Sequence, residues 1–126
     1  MTEKDCRTQL RAEGWLTPDT YSNSFAPLPT APGVYLILAV DLCEPRDRKV
    51  VYVGKSLDLA RRLNNHPVVR GVHSRDGDIF MQRWFREMPA AGITAAEIEA
   101  ISRFDPPLNI QHRRRDVISQ WLEGVR

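Results

Sequence analysis

A single carboxylate stands where a carboxylate is costly. A helix is predicted from Thr94 to about Phe104, stopped by Asp105-Pro106-Pro107. At about 100° per residue, Ile101 falls about 40° from Glu97 and Phe104 about 20° away, so Glu97 lies inside the apolar stripe. Glu99 points away with Arg103 and reads as solvated. A carboxylate on an apolar face needs a partner. One candidate is the backbone: Thr94-x-x-Glu97 is a capping box, in which the glutamate folds back onto the N-cap amide. The other is a divalent cation, which suits a partly buried carboxylate.

A basic set lies upstream. Lys55 ends the run Val51-Tyr52-Val53-Gly54-Lys55-Ser56. A nucleotide-binding P-loop is excluded, because Lys49 stands where its first glycine would be and the intervening residues read as a strand. Ser56 is expected to cap a helix reaching His66, with Pro67 as its stop. On it Leu59 and Leu63 share the core face, while Asp58, Arg62 and His66 repeat every four residues on another. Lys55, Arg62 and His66 could converge on one anionic group. The plainer alternative is a solvated stripe with an Asp58–Arg62 pair worth a few tenths of a kcal/mol. Tyr35 and Tyr52 each sit in an apolar strand, where a tyrosine ordinarily packs its ring and leaves its hydroxyl at the rim.

The elements that must position these groups follow from periodicity and breakers. Residues 4–16 are weakly amphipathic and helical. Residues 17–32, rich in Pro, Ser and Thr, form a surface loop. Gly33 to Val40 and Val50 to Val53 are strands joined by a charged loop, hence an antiparallel hairpin with a long tip. Asp78 to Glu87 does not settle its period and is assigned as a third strand, and Asp116 to Glu123 as a last short helix. The class is α+β, a small three-stranded antiparallel sheet flanked by helices.

Composition narrows the rest. The 126 residues suffice for one domain with a modest core. The longest apolar run, Val34 to Val40, is far short of a membrane span. The start Met-Thr-Glu-Lys-Asp has no signal-peptide pattern, so the expected location is cytoplasmic. Cys6 and Cys43 have neither zinc spacing nor a disulfide framework. A net charge of +2 does not by itself imply nucleic acid. Its distribution says more: Lys55, Arg61, Arg62, Arg70 and Arg75 face a single Asp58 between residues 55 and 75, and Arg113-Arg114-Arg115 forms a second patch. Such patches suit a phosphate backbone, or merely solvate the surface.

Together these residues resemble the GIY-YIG nuclease superfamily. Gly33-Val34-Tyr35 followed by Tyr52-Val53-Gly54 is similar to the paired motif that names it. Arg62 comes eight residues after Gly54 and His66 twelve after it, where members carry an arginine and often a histidine. Glu97 matches the metal-binding glutamate. Pro106-Pro107-Leu108-Asn109 resembles the closing Pro-x-x-Asn. Lys55 matches a lysine of the nuclease subunit of bacterial excision repair and its relatives. The resemblance covers residues 28–110, leaving 1–27 as an N-terminal helix and surface loop and 111–126 as a basic segment and C-terminal helix. Two departures stand out, a long loop between the tyrosine strands and no recognisable appended DNA-recognition domain.

The resemblance implies hydrolysis of DNA phosphodiester bonds with Mg²⁺ or Mn²⁺. Glu97 would hold the metal, and Arg62 would clamp a phosphate oxygen and stabilise the transition state. One tyrosine would activate the attacking water and the other would position it. Tyr35 is taken as the base and Tyr52 as the positioning group, although spacing does not separate them. Lys55 or the metal would lower the tyrosine pKa, His66 would support a phosphate or a tyrosine hydroxyl, and Asn109 would fix the far end of the helix. Gly54 would let the strand turn tightly beside Tyr52. DNA would be met by Lys55, Arg61, Arg62 and Arg113 to Arg115, with a protein partner or a homodimer for targeting. A DNA-binding module of the same fold that does not cleave is the alternative.

Overall fold

The structure, a computed structural model, describes residues 3–19, 26–41, 48–68 and 79–109. Arg70, Arg75, Arg113 to Arg115, the hairpin tip and the expected helix at Asp116 to Glu123 lie outside the described residues.

The architecture is α+β, as the pattern predicts, and is consistent with a GIY-YIG-like fold. Three antiparallel strands, β1 (Gly33–Asp41), β2 (Arg48–Ser56) and β3 (Ile79–Glu87), stand in the order β2-β1-β3. The ambiguous segment is therefore a strand. β1 is central, which explains why it reads as continuously apolar rather than alternating: both of its faces are covered. Tyr35, Ile37 and Ala39 pack on one side with Leu59, Leu63 and Phe85. Val34, Leu36, Leu38 and Val40 pack on the other with Leu10, Trp15, Trp84 and Ile93. The first core lies under α2 (Leu59–Leu63), the second under α1 (Glu3–Ala12) and α3 (Ile93–Phe104). Beyond β3, Leu16 pairs with Phe85 through two backbone hydrogen bonds.

Both edges of the expected elements shift. α1 stops at Ala12 rather than residue 16, where Gly14 turns the chain with φ +89. β2 runs through Gly54 and Lys55 to Ser56 instead of ending at Val53. Its register slips between Ile37 and Leu38, so Val51 and Tyr52 both join the first core while Val50 and Val53 join the second.

α2 is five residues long, not the expected eleven, and its N-cap is Asp58, whose Oδ1 accepts from Arg61 N at 3.1 Å; Ser56 instead makes a local turn with Asp58. So short a helix has no stability of its own. Tertiary contacts supply it. Leu59 and Leu63 are fully buried, each contributing about 1.5–3 kcal/mol. The first amides of the helix donate to carbonyls of the loop before β1, Leu59 N to Ala31 O and Ala60 N to Pro29 O. At the other end Arg83 Nη1 reaches Leu63 O and Asn64 Oδ1, while its Nε and Nη2 grip both oxygens of Asp19.

Candidate active site

Tyr35 is the hub. It sits mid-sheet on β1 opposite Gly54, and its ring lies over that residue: a Cβ at Gly54 would come within 2.4 Å of the Tyr35 Cζ and hydroxyl. Gly54 therefore serves close approach inside a strand, which corrects the expectation of a tight turn there. The Tyr35 hydroxyl meets two side chains from the far side of the first core. Arg62 Nε donates to it at 3.2 Å, and His66 Nε2 lies 2.9 Å away.

The backbone decides the histidine tautomer. Val68 N donates to His66 Nδ1 at 3.2 Å, so Nδ1 is unprotonated and Nε2 carries the hydrogen that points at Tyr35. Burial holds this ring neutral, pushing its pKa down to about 4, with the Arg62 charge acting in the same direction. Burial likewise pushes the Tyr35 phenol up to about 12, against the opposing hydrogen bond from Arg62. Arg62 is pushed further up by its hydrogen bond to Tyr35 and the neighbouring Tyr52. Tyr52 is only half-buried; its ring stacks on Tyr35 with centroids 6.2 Å apart and meets the edge of His66 at 4.9 Å.

Lys55 does not join this cluster. Alternation along β2 sends it to the opposite face, toward α3, where its Nζ donates to Thr94 Oγ1 at 2.9 Å and lies 3.9 Å from Glu97 Oε1. The capping box is absent: α3 starts at Ile93 with Gly92 at its N-cap, and Thr94 is inside the first turn, facing Lys55. Glu97 sits at the border of the apolar stripe, its side chain 22% exposed, while Ile98 beside it is largely exposed. Its charge still acts across β2, as one of the smaller influences raising the Tyr35 pKa. The site thus straddles the β2 edge of the sheet.

Asn109 braces that edge. Its Oδ1 accepts from Val53 N at 2.8 Å and its Nδ2 donates to Val53 O at 2.7 Å, filling the backbone positions a neighbouring strand would fill. It therefore fixes the strand between Tyr52 and Gly54 rather than the end of a helix. Arg61 is exposed. With Arg62, Ser56, Leu57, Asp58 and Asn65 it lines an open cavity of about 470 Å³. Sequence reasoning missed the Arg83–Asp19 clamp that holds α2, and the part of Thr94 as a lysine acceptor. The only signal for Thr94 was its polarity on an otherwise apolar first turn.

No group of three His, Cys, Asp or Glu side chains is poised to hold a metal among the described residues. Glu97 fits a Mg²⁺ or Mn²⁺ ion only in the manner of sites that combine one carboxylate with waters and substrate phosphate. Among the described residues no helix is long and apolar enough to cross a membrane.

In an alignment of 104 positions that covers 76% of the chain, it is 32% identical to UvrABC system protein C of Corynebacterium glutamicum. It is similar to the same protein from Corynebacterium diphtheriae (32%) and Rhodococcus erythropolis (31%) over the same share. It spans about one seventh of these relatives, 14% of the Corynebacterium glutamicum protein. No protein-family model and no solved structure matches it.

Proposed function

We propose that the protein is a metal-dependent DNA endonuclease that hydrolyses phosphodiester bonds. The observation that carries this reading is the convergence of Tyr35, Arg62 and His66 from β1, α2 and the turn after it, with Lys55 and Glu97 directly across the β2 edge. The resemblance to GIY-YIG nucleases and the part-length similarity to UvrABC system protein C support DNA as the substrate.

In this reading water adds to phosphorus, one P–O ester bond breaks, and the products are a phosphate monoester and a free hydroxyl. A divalent cation on Glu97 would supply charge stabilisation at the phosphate. Arg62 lines the open cavity while it is hydrogen-bonded to Tyr35 through Nε and also to Tyr52, so the two tyrosines would hold its guanidinium where a phosphate oxygen can reach it. Tyr35 is a poor base at neutral pH, because it is buried and its pKa is pushed up to about 12. We assign Tyr35 instead to aiming Arg62, and Tyr52, the more exposed of the pair, to taking the proton of the attacking water. His66, neutral and of fixed tautomer, orients Tyr35 through Nε2–H. Arg61, and Arg113 to Arg115 from the C-terminal segment, would contact flanking phosphates.

The test is plasmid cleavage by the purified protein with Mg²⁺, with EDTA and with Glu97→Ala in parallel. Nicking or linearisation that needs both metal and Glu97 is expected. Metal-independent cleavage, or full activity of the variant, would sink the reading. The second reading, a DNA-binding module that does not cut, is favoured by one observation: Glu97 already has a cationic neighbour in Lys55. It predicts no cleavage alongside DNA binding that weakens with salt.

A further inference from the structure

Lys55 and the first turns of α3 make a contact that the proposed reaction does not by itself require. Lys55 Nζ is 3.9 Å from Glu97 Oε1, the outer limit of an ion pair, but donates a firm hydrogen bond to Thr94 Oγ1 at 2.9 Å. Thr94 and Glu97 are three residues apart on α3 and so stack on one face. The ammonium is therefore anchored by the hydroxyl and only leans on the carboxylate. It carries one positive charge close to the oxygen that a divalent cation would need. Two cations on one carboxylate repel unless a further anion joins them.

Resting on the nuclease reading above, we propose that Lys55, seated by Thr94, is the resident cation of Glu97 in the DNA-free protein. A divalent cation takes Glu97 more tightly once a substrate phosphate draws the ammonium away. Three observations support the exchange. The Lys55 side chain is 39% exposed on a flexible stem, so it can swing toward a phosphate without disturbing the core. The tie to Glu97 is long, and so weak to break. Among the described residues Glu97 belongs to no group of three His, Cys, Asp or Glu side chains that could outcompete a lysine for a metal. Phosphate oxygens are the ligands that would tip the balance, and they arrive with the DNA. Thr94 is then a positioning residue: it sets where the lysine waits, and through that how tightly metal binds before substrate does.

The test reads metal binding, not cleavage. Mn²⁺ is titrated against the full chain and free Mn²⁺ is followed by electron paramagnetic resonance, without DNA and then with a short duplex, corrected for Mn²⁺ held by the duplex alone. Without DNA, Lys55→Met is expected to bind Mn²⁺ about fivefold more tightly than wild type, the scale of one lost exposed ion pair. Thr94→Val should show a smaller gain, and the Lys55→Met/Glu97→Gln double variant none. Duplex should tighten Mn²⁺ binding by wild type more than by Lys55→Met. Equal Mn²⁺ affinity of wild type and Lys55→Met overturns the proposal, and so does the absence of Mn²⁺ binding in every variant. If Glu97→Gln weakens Mn²⁺ binding while Lys55→Met changes nothing, only the exchange fails. If Glu97→Gln changes nothing in any background, the nuclease reading loses its metal ligand. The substituted lysine is exposed, and unchanged circular dichroism melts would exclude misfolding.

Discussion

The two sides of β2 solve different problems. On one, Tyr35, Arg62 and His66 are locked: Tyr35 and His66 are buried, the tautomer of His66 is fixed by a backbone amide, and the Tyr35 oxygen receives two donors. On the other, Lys55 and Glu97 are partly exposed and meet at a loose 3.9 Å. A group that must hold a geometry gains from burial and full hydrogen bonding. A group that must trade one charged partner for another is hindered by both. Lys55 follows Tyr52 closely on the same strand, yet alternation along β2 sends the two side chains to opposite surroundings.

The largest expected effects are on cleavage, and both sides should show them. Arg62→Ala removes the guanidinium that Tyr35 aims, and a loss in kcat of about 10²–10³-fold is expected, with a smaller change in DNA affinity. Single-turnover cleavage together with a binding isotherm checks the split. A loss confined to binding would make Arg62 an ordinary phosphate contact and erase the distinction between the locked side and the exposed cavity beside it.

The next effect belongs to the locked side alone and concerns pH. The folded pKa of His66 is pushed down to about 4 from 6.5. Between these values the unfolded chain binds a proton that the folded one refuses, so stability falls as pH drops. The contribution is fully present above about pH 6.5 and should be lost by something on the order of 2 kcal/mol at pH ~5. Urea denaturation across that window, with His66→Gln as reference, measures it. A wild-type slope no steeper than that of the variant would mean that the ring is not held neutral.

The strand pattern and the antiparallel hairpin are legible from spacing, because spacing reports order along the chain and an approximate face, whereas Tyr35, Tyr52, Lys55, Arg62, His66, Glu97 and Asn109 are joined into one set by the resemblance to GIY-YIG nucleases. What it does not report is which element covers that face. Ser56 and Thr94 look like helix caps because their side chains are right, but the true caps, Asp58 and Gly92, follow from where the chain is pinned by Ala31, Pro29 and the packed Leu59 and Ile93. Asn109 is visible as a residue, whereas its pairing with Val53 spans 56 positions and needs the folded edge of the sheet. Gly54 reads as a turn residue because glycine usually marks one. Only the position of the Tyr35 ring above it shows the steric reason.

That steric reason gives a third, smaller effect. Gly54→Ala puts a methyl group 2.4 Å from the Tyr35 ring, too close for either to stay in place. Overpacking of this kind costs about 1–3 kcal/mol. The ring must tilt, and the two donors on its hydroxyl lose their acceptor geometry. Denaturant midpoints should fall, and cleavage should fall by more than the stability loss predicts at a temperature where the variant is still folded. Wild-type stability in Gly54→Ala would show that the ring has room elsewhere.

The smallest effect is the one that separates the two sides most cleanly. Glu97→Ala removes a partly exposed carboxylate whose tie to Lys55 is at the limit of an ion pair, and such pairs contribute about 0–1 kcal/mol. Lys55 keeps its bond to Thr94 and its access to water, so no buried charge is orphaned. The expected change in unfolding free energy is within about 0.5 kcal/mol, in the same variant whose cleavage should vanish. Tyr35→Phe does the reverse, because it strips an acceptor from a buried Nε2–H and from Arg62 Nε and should cost about 1–3 kcal/mol. Paired urea melts of the two variants decide the matter. If Glu97→Ala proved the more destabilising, Glu97 would be a structural anchor of α3 against β2, and the adjustable side of the site would be as rigid as the locked one.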